Sequence, residues 1–532
     1  MKKLILISVV ALLAACTPKI TTTHVFVTAE SGEKNAEQEP IVFTRGMAAD
    51  AIVVDPEEER QLINGFGGSL TESSAFVLAC LDKEQREQII AELFGKDGAN
   101  FSLSRTHIGA SDFSVEGHYS LAEKEGDTQL SSFTLAPDKE GFSRQKYPQI
   151  KDENYDLYHL ILDVWNLKKT QGEELKLIAS PWTAPAWMKD NGKYYEKYVR
   201  GGGLKEEYYQ TFADYFVRYL DAWKAEGVRF WAVTPENEPQ GNGGNWESME
   251  LSPAAEAQFI AKNLGPTLAK AGYGDVHILG FDQNIFEMAP YTEAIYSDAD
   301  AYRYTHGMAI HWYGHTKSCL PEVLDSIHAL YPEKIIIHTE GCIDNLGCDA
   351  WQGVQDPAGF KETDWFLNDQ FWWEQKATDW AYSTPFDNGT HPAYSAVQRY
   401  AQYIIDGVNH WMTGFADWNI VLDSIGGPNH VNNFCGAEVM VDYRNATVYF
   451  TPYYYALRQL SRSMRPGDVA IGVKGNTIPD LHVCAVKKKD GSVVVNMLNE
   501  AQQTRTFNLQ VGDYSAAITL LPNSMQTIQL NK

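Results

Sequence analysis

The chain has 532 residues, of which 44% are hydrophobic, enough for a large buried core together with a smaller second domain. With 44 Lys and Arg residues against 69 Asp and Glu residues, the formal net charge is -25. Such a charge repels phosphate backbones, so it argues against nucleic acid as a partner and favours a neutral substrate.

The N-terminus has the pattern of an export signal, which we assign to residues 1–15. A basic start, MKK, precedes an apolar run from Leu4 to Ala15 that is too short to span a bilayer as a helix. The small residues before Cys16 resemble a bacterial lipobox, which predicts cleavage before Cys16 and lipidation of that cysteine; an ordinary signal peptide with an incidental cysteine is the alternative. We therefore expect an outer-membrane lipoprotein, on the cell surface or the periplasmic side, held to the membrane by its lipid anchor through a tether over residues 16–40.

The remaining cysteines are scattered without paired CxxC spacing, so a zinc framework is not expected. A disulfide between Cys342 and Cys348 is one interpretation, and buried thiols are the other. No protein partner is predicted.

Residues 41–61 are assigned to strands of a second domain, because AIVVD (residues 51–55) lacks a helical period; THVFVTA (residues 23–29) is a further candidate. Residues 62–452 then contain eight short apolar runs with helix-length segments between most of them, which predicts a (β/α)8 barrel of the α/β class. The runs begin near Asn64, Phe101, Leu175, Phe230, Val276, Met308, Lys334 and Met412.

Over residues 453–532 the sequence pattern changes to that of short strands with alternating polar and apolar residues, including a hairpin across Asp490-Gly491. We expect a β-sandwich domain there, completed by the N-terminal segments. Active sites of such barrels lie at the carboxyl ends of the strands, so the polar residues that end each run are the place to look for chemistry.

Two glutamates end runs of the predicted barrel, Glu238 the fourth and Glu340 the seventh. Their separation, 340 − 238 = 102, equals three βα units of about 34 residues, which puts both acids at one mouth. Retaining hydrolysis of a glycosidic bond needs two carboxyl groups about 5 to 5.5 Å apart. Glu236 is the rival of Glu238, and we expect only one of the two to enter the mouth.

Other polar residues at the strand ends suit a sugar. Asn237 is placed to hydrogen-bond the 2-hydroxyl group of a sugar. Tyr313 is placed either to hydrogen-bond the carboxylate that acts as nucleophile or to stack on a pyranose ring. The alternative is a metal centre, but the histidines lie on separate segments or at strand spacing and no HExxH helix is present, so we expect neither metal nor cofactor. The ligands of such a centre would be His311, His315, His338 and Glu340.

The collinear motifs NGFGGSLTESSA, ASDFS, ASPWTAPAWMKDNG, FWAVTPENEP, HWY, TEGC, ADWN and GGPNHVNNF resemble glycoside hydrolase family 30 over nearly the whole mature chain. The resemblance implies that Glu238 is the acid/base and Glu340 the nucleophile of a retaining β-glycosidase on a barrel with a side β-domain.

The same resemblance implies contacts to the sugar that is cleaved. Each has a structural alternative: a helix cap for the aspartate, the core for the tryptophans and a turn for the last asparagine. The implied substrate-binding residues are Asp112, Trp182, Asn237, His311, Tyr313, Trp418 and Asn433.

The resemblance leaves the sugar open. The motifs resemble the glucosylceramidase and endo-β-1,6-glucanase branches, and no arginine motif for glucuronic acid is seen, which disfavours a glucuronoxylanase. An exported enzyme is placed to attack external polysaccharide, so we expect an endo-β-1,6-glucanase acting on β-1,6-glucan, with glucosylceramidase or another exo-β-glycosidase (β-glucosidase or β-xylosidase) as the alternative.

Aromatic residues between the seventh and eighth runs are candidates for extra sugar subsites or for a helix core: Trp351, Trp365, Phe371, Trp372, Trp373 and Trp380.

Two other classes of protein remain as alternatives to a retaining glycosidase. A carbohydrate-binding lipoprotein without catalysis is expected to lack one of the two acids, and a metal-dependent hydrolase is expected to lose activity with chelators.

Overall fold

The computed structural model describes residues 19–196, 201–242, 244–313, 318–343, 395–431 and 433–531. The strands in chain order are β1 (Lys19–Ala29), β2 (Ala36–Glu37), β3 (Val42–Arg45), β4 (Ile52–Leu62), β5 (Gly65–Ser69), β6 (Leu103–His107), β7 (Lys176–Ser180), β8 (Ala232–Val233), β9 (His277–Asn284), β10 (Thr305–His311), β11 (Ile335–Glu340), β12 (Met412–Asn419), β13 (Val421–Asp423), β14 (Val439–Asp442), β15 (Thr447–Phe450), β16 (Val469–Lys474), β17 (Leu481–Lys487), β18 (Val493–Asn499), β19 (Arg505–Val511), β20 (Tyr514–Leu520) and β21 (Ser524–Leu530).

The helices lie mostly between barrel strands, as the alternating pattern predicts. They are α1 (Glu72–Ala79), α2 (Lys83–Phe94), α3 (Leu157–Gln171), α4 (Tyr209–Ala225), α5 (Pro253–Phe259), α6 (Gly265–Ala271), α7 (Met288–Ser297), α8 (Ala299–Tyr304), α9 (Pro321–Leu330), α10 (Ser395–Asn409) and α11 (Pro452–Ser463). Within the described residues, no helix combines the length and the apolar character needed to cross a bilayer.

Strands β5 to β12 form a parallel barrel, in the order β5-β12-β11-β10-β9-β8-β7-β6. The gap between the first and last strands is bridged by backbone hydrogen bonds, from Ser102 N to Phe66 O (2.9 Å) and from Leu70 N to Arg105 O (2.8 Å). All eight predicted runs supply these strands in order, so the predicted (β/α)8 barrel is confirmed.

The barrel interior is filled. Seven of its strands each contribute one fully buried apolar residue to a separate cluster, as expected for a barrel of this size. The residues of this cluster are Leu103, Ile178, Ala232, Leu279, Ala309, Ile337 and Ala416. The interior is therefore core, and reactive side chains lie only at its ends.

Strands from both termini form the predicted β-sandwich domain, with the sheet order β2-β1-β21-β18-β17-β16-β4-β19-β20-β3 and a further β1–β3 pairing. The structure differs from the predicted tether over residues 16–40, because Lys19–Ala29 pairs with Ser524–Leu530 as a strand. Alternate residues of that strand are buried, for example Val25 and Val27, and this burial outweighs the polar composition that suggested a tether.

The predicted start of the sandwich at residue 453 also differs from the structure. Residues Pro452–Ser463 form helix α11, and the sheet resumes only at Val469. Pro452 occupies the first turn, and Tyr453, Leu457 and Leu460 repeat at helical spacing on a buried face.

Candidate active site

The acids predicted from the sequence lie at the same end of the barrel. Glu340 is the last residue of β11 and His311 the last residue of β10, while Asn237 and Glu238 follow β8. Because parallel strands end at one edge, these side chains converge on the mouth of the barrel.

Arg105, on β6, is the hub of this mouth and is completely buried. Its guanidinium donates to Glu340 Oε2 at 2.5 Å, to Asn237 Oδ1 at 2.6 Å, to Asp282 Oδ2 at 2.7 Å and to Ser180 Oγ at 3.1 Å. A planar guanidinium with five donors is the side chain that can hold several acceptors in fixed geometry. It therefore fixes the position of Glu340 relative to Asn237.

Asp282, near the end of β9, is the acidic counterpart of this hub. Burial opposes its ionisation, but Arg105 and His311 outweigh burial and hold the pKa of Asp282 well below its usual range. It also accepts hydrogen bonds from Thr339 Oγ1 (2.6 Å) and Thr234 Oγ1 (2.7 Å). Asp282 is thus a buried anion between the two cations.

Sequence reasoning missed both Arg105 and Asp282. The sequence nevertheless marks both residues, because each is a charge inside or at the end of a buried apolar run. Charged residues are rare at such positions unless they are paired. The two charges stand in SRTH and GFDQN, within the second and fifth runs.

His311 links Glu238 to Asp282. Its Nδ1 lies 3.4 Å from Glu238 Oε1 and its Nε2 lies 3.1 Å from Asp282 Oδ1. Burial alone lowers the pKa of a histidine, but the negative charge of Glu340 and the bonds to Asp282 and Glu238 raise the pKa of His311 to about 9. His311 is therefore a cation at neutral pH.

Glu236 and Glu238 are separated as expected, but not by strand alternation. Residues two apart on a regular strand point to the same side. Here β8 ends at Val233, and Glu238 adopts a left-handed backbone with φ 52°, which turns the chain. Glu236 is completely buried, whereas the side chain of Glu238 is 18% exposed at the mouth.

Glu340 is buried beneath the mouth. Tyr313 donates to Glu340 Oε1 at 3.2 Å, as the sequence suggested, and Arg105 holds the other oxygen. Burial raises the pKa of Glu340, while His311 and Arg105 counteract that rise by favouring the anion.

Asp112 and Asn433 meet on loops beside this centre. Asn433 Nδ2 donates to Asp112 Oδ2 at 3.0 Å, and the backbone of Asn433 also closes a turn with the side chain of Asn429. Burial, followed by the negative charge of Glu340, raises the pKa of Asp112 to about 8. Asp112 is therefore mostly protonated at neutral pH.

Trp182 and Trp418 stack on each other with ring centroids 5.1 Å apart and are each 2% exposed. The Arg105 guanidinium lies 4.6 Å from the centre of the Trp182 ring. The stacked pair thus packs against the hub and holds it by a cation–π contact.

The alternative metal centre is not assembled by its described members. His338 is completely buried among aromatic rings, stacked on Phe415 at 4.2 Å, and burial keeps its pKa well below the usual range. His315 lies outside the described residues, as do Cys16, Cys348 and the aromatic residues from Trp351 to Trp380. Predictions on those residues stay predictions.

A family model described as the glycosyl hydrolase family 30 TIM-barrel domain matches residues 63–382 and 386–464. A second model, described as the glycosyl hydrolase family 30 beta sandwich domain, matches residues 467–528. Together they cover most of the chain.

Two named relatives differ in what they cleave. The chain is 29% identical over 474 residues to the lysosomal acid glucosylceramidase of Mus musculus. This match covers 88% of this chain and 81% of the relative. It is 26% identical over 456 residues to an endo-1,6-beta-D-glucanase of Neurospora crassa, covering 84% of this chain and 80% of the relative.

Solved structures share the fold. The endo-beta1,6-glucanase BT3312 superposes with a TM-score of 0.75 at 26% identity, covering 96% of this chain and 99% of that one. SrfJ from Salmonella typhimurium superposes with a TM-score of 0.78 at 24% identity, covering 97% and 100%.

Proposed function

Because the chain belongs to glycoside hydrolase family 30, we propose that it is a retaining endo-β-1,6-glucanase with Glu340 as nucleophile and Glu238 as acid/base. The observation that carries the proposal is the unequal environment of the two glutamates around Arg105 and His311.

The donors around each carboxyl group support these roles. Glu340 receives hydrogen bonds from Arg105 and Tyr313, which favour its anion. Glu238 has a longer contact with His311, 3.4 Å, and an exposed fraction through which a leaving group can reach it. Two carboxyl groups in different environments are what an acid and a nucleophile require.

The charges around the hub support one retained proton. Arg105 and His311 supply two positive charges, whereas three ionised carboxylates, those of Glu238, Asp282 and Glu340, supply three negative charges. One proton on one of these carboxyl groups balances the charges of this cluster, as a pair made of an acid and an anionic nucleophile requires.

The reaction then follows in two steps. Glu340 attacks the anomeric carbon and forms a glycosyl ester, while Glu238 gives its proton to the departing glycosidic oxygen. Glu238 next removes a proton from water, which attacks the same carbon and restores Glu340 with net retention. Asn237, fixed by Arg105, is placed to hydrogen-bond the 2-hydroxyl group of the sugar.

A surface cleft supports a carbohydrate chain as substrate. A cavity of about 410 Å³ on the loops that follow β6 and β7 is lined by Glu123, Trp187, Asp190 and Tyr194, among others. Aromatic faces together with charged hydrogen-bonding groups suit sugar rings better than alkyl chains. The two endo-1,6-glucanase relatives point in the same direction.

Glucosylceramide is the second candidate substrate, favoured by the 29% identity to the mouse glucosylceramidase. Incubation with linear β-1,6-glucan and, separately, with glucosylceramide distinguishes the two. We expect an oligosaccharide ladder from the glucan; glucose released only from the lipid would refute the glucanase proposal.

The catalytic roles are tested by substitution. Glu340→Gln is expected to abolish hydrolysis. Glu238→Ala is expected to hydrolyse an aryl β-glucoside slowly and to be partly rescued by azide. NMR of the first product of the wild-type enzyme should show the β anomer. Glu236→Gln is the matched control. Burial raises the pKa of Glu236 well above its usual range, so the residue is already neutral and the amide should be tolerated.

We also propose that the enzyme is exported and held at the outer membrane by lipid on Cys16. Metabolic labelling with a fatty acid tests this, because Cys16→Ala should lose the label and be released into the soluble fraction. Label retained by the Cys16→Ala protein would contradict the anchor.

A further inference from the structure

A second cluster of chemistry-bearing side chains lies at the rim of the mouth, outside the proposed catalytic centre. It joins His118 on the loop after β6, Glu247 on the loop after β8, and His430 on the loop after β13. One ligand atom from each of these residues lies within 4.8 Å of those of the other two.

The distances in the cluster suit a small metal ion. His118 Nδ1 lies 2.6 Å from Glu247 Oε1, and His430 Nε2 lies 3.5 Å from Glu247 Oε2. Zinc bonds of about 2.1 Å at a tetrahedral angle put neighbouring ligand atoms about 3.4 Å apart. Small side-chain movements are therefore enough to bring the three donors to bonding distance of one ion.

His430 is oriented as a ligand would be. Its Nδ1 donates to the carbonyl oxygen of Ser114 at 2.7 Å, so Nε2 faces Glu247 and becomes the donor atom for a metal ion once it gives up its proton. A ligating histidine commonly donates its other ring nitrogen to a carbonyl in this way.

Two atoms in the cluster lack hydrogen bonds. Glu247 is completely buried, and within the described part of the chain neither Glu247 Oε2 nor His430 Nε2 has a hydrogen-bond partner. A buried carboxylate is stable only beside positive charge, which a metal ion supplies here when both imidazole rings are neutral.

We propose that His118, Glu247 and His430 bind a divalent transition metal ion of the zinc type. Two imidazoles and one carboxylate are a zinc donor set, whereas calcium and magnesium prefer oxygen ligands alone. The ion ties together three loops of the mouth, and His430 lies three residues before Asn433, which pairs with Asp112. Its role is to fix the sugar-binding rim, and it takes no part in bond cleavage.

The first experiment measures binding independently of hydrolysis. Full-length protein without a polyhistidine tag is stripped with EDTA, equilibrated with zinc chloride, and analysed by inductively coupled plasma mass spectrometry. We expect about one zinc per chain, lost in Glu247→Gln and His430→Gln, and a melting temperature that rises with zinc in the wild type alone.

His482→Gln is the matched control, because His482 also lies between two carboxylates, Asp406 at 2.9 Å and Glu500 at 3.6 Å, without a second histidine. It should keep its zinc. Wild-type protein that takes up no zinc, or Glu247→Gln and His430→Gln proteins that keep it, would overturn the proposal.

Cobalt provides a readout that does not depend on the variants folding. Co²⁺ added to the stripped wild type should give the visible absorption bands of a four-coordinate site and be displaced by Zn²⁺. Stoichiometric binding of Co²⁺ with the spectrum of the hydrated ion would equally reject the site.

Discussion

At the scale of single residues, Arg105 organises the site from a completely buried position. Its buried charge is compensated by Asp282 and Glu340, and its removal leaves both carboxylates without their cation. Breaking a buried ion pair on one side usually costs about 3 to 5 kcal/mol. Arg105 is thus a positioning residue whose effect passes through Glu340 and Asn237.

We predict that Arg105→Lys lowers kcat by about 100-fold or more, because an ammonium group cannot hold four acceptors in fixed geometry. Steady-state kinetics on an aryl β-glucoside measure this. Arg86→Lys is the control, since Arg86 is also buried but pairs with Asp152 away from the mouth. Equal losses in both variants would show that the effect is general destabilisation.

His311 predicts a dependence of stability on pH. The pKa of His311 is raised to about 9 in the folded protein, above the value of about 6.5 for an unfolded chain. The stabilisation is therefore fully present below about pH 6.5 and is lost as the pH rises through 9.

The difference in free energy of unfolding between the wild type and His311→Gln should be largest below pH 6.5 and shrink towards pH 9, which urea denaturation at several pH values would measure. The exposed Gln210→Leu removes no titratable group and serves as control. A difference that stays constant up to pH 10 would contradict the raised pKa of His311.

The sequence predicts part of this centre well. Glu340, His311 and Tyr313 could be placed because each ends or follows a run of buried apolar residues. The relation between Glu236 and Glu238 could not, because it depends on the left-handed backbone at Glu238, which the residue type does not reveal. The Asp112–Asn433 pair joins residues 321 positions apart, and only the fold brings them into contact.

At the scale of elements, strand β5 passes unusually close to β6. An added Cβ on Gly67 would lie 2.0 Å from the carbonyl oxygen of Leu103, which belongs to the adjacent backbone and cannot swing away. The glycine motif at the start of the barrel therefore allows the first and last strands of the sheet to approach and close it.

Gly67→Ala is accordingly expected to destabilise the protein by about 3 kcal/mol, since overpacking against backbone forces the strands apart. The midpoint of thermal unfolding measures the effect. Gly274→Ala is the control, because nothing lies within 4 Å of a Cβ built there. A Gly67→Ala protein as stable as the control would contradict the close approach.

The elements of the barrel were predictable because buried parallel strands leave continuous apolar runs in the sequence. The boundary of the sandwich was less predictable. Helix α11 begins just after strand β15 and carries three consecutive tyrosines, from Tyr453 to Tyr455, which are residues frequent in strands. Its helical conformation follows from packing between the barrel and the sheet, a contact that local propensity does not report.

At the scale of the whole molecule, one buried cluster joins the barrel to one face of the sandwich, and a second cluster lies within the sandwich itself. Sandwich residues such as Val486, Leu498 and Met525 belong to the same buried cluster as the barrel helices. On α11, Gln459 accepts from Thr28 Oγ1 at 2.7 Å and donates to Thr527 Oγ1 at 2.9 Å. The two domains are therefore joined by both apolar and polar contacts.

We predict that the two domains unfold in a single transition and that Gln459→Leu lowers the free energy of unfolding by about 2 to 3 kcal/mol, because buried hydroxyl groups lose their partners. Urea denaturation followed by circular dichroism and by tryptophan fluorescence tests this, with the exposed Gln210→Leu as control. Transitions that differ between the two probes would show independent domains.

The pairing of β1 with β21 also sets an order of events during folding. Val25 lies opposite Ile528, so β1 has no neighbour on that side until β21 is in place. The barrel strands are complete about a hundred residues earlier, because β12 ends at Asn419. Bringing β1 and β21 together is slow because they are far apart along the chain. The unpaired edge of β1 therefore stays exposed while the rest of the chain folds. Shortening the chain at either end would leave that edge open permanently, as a template for aggregation.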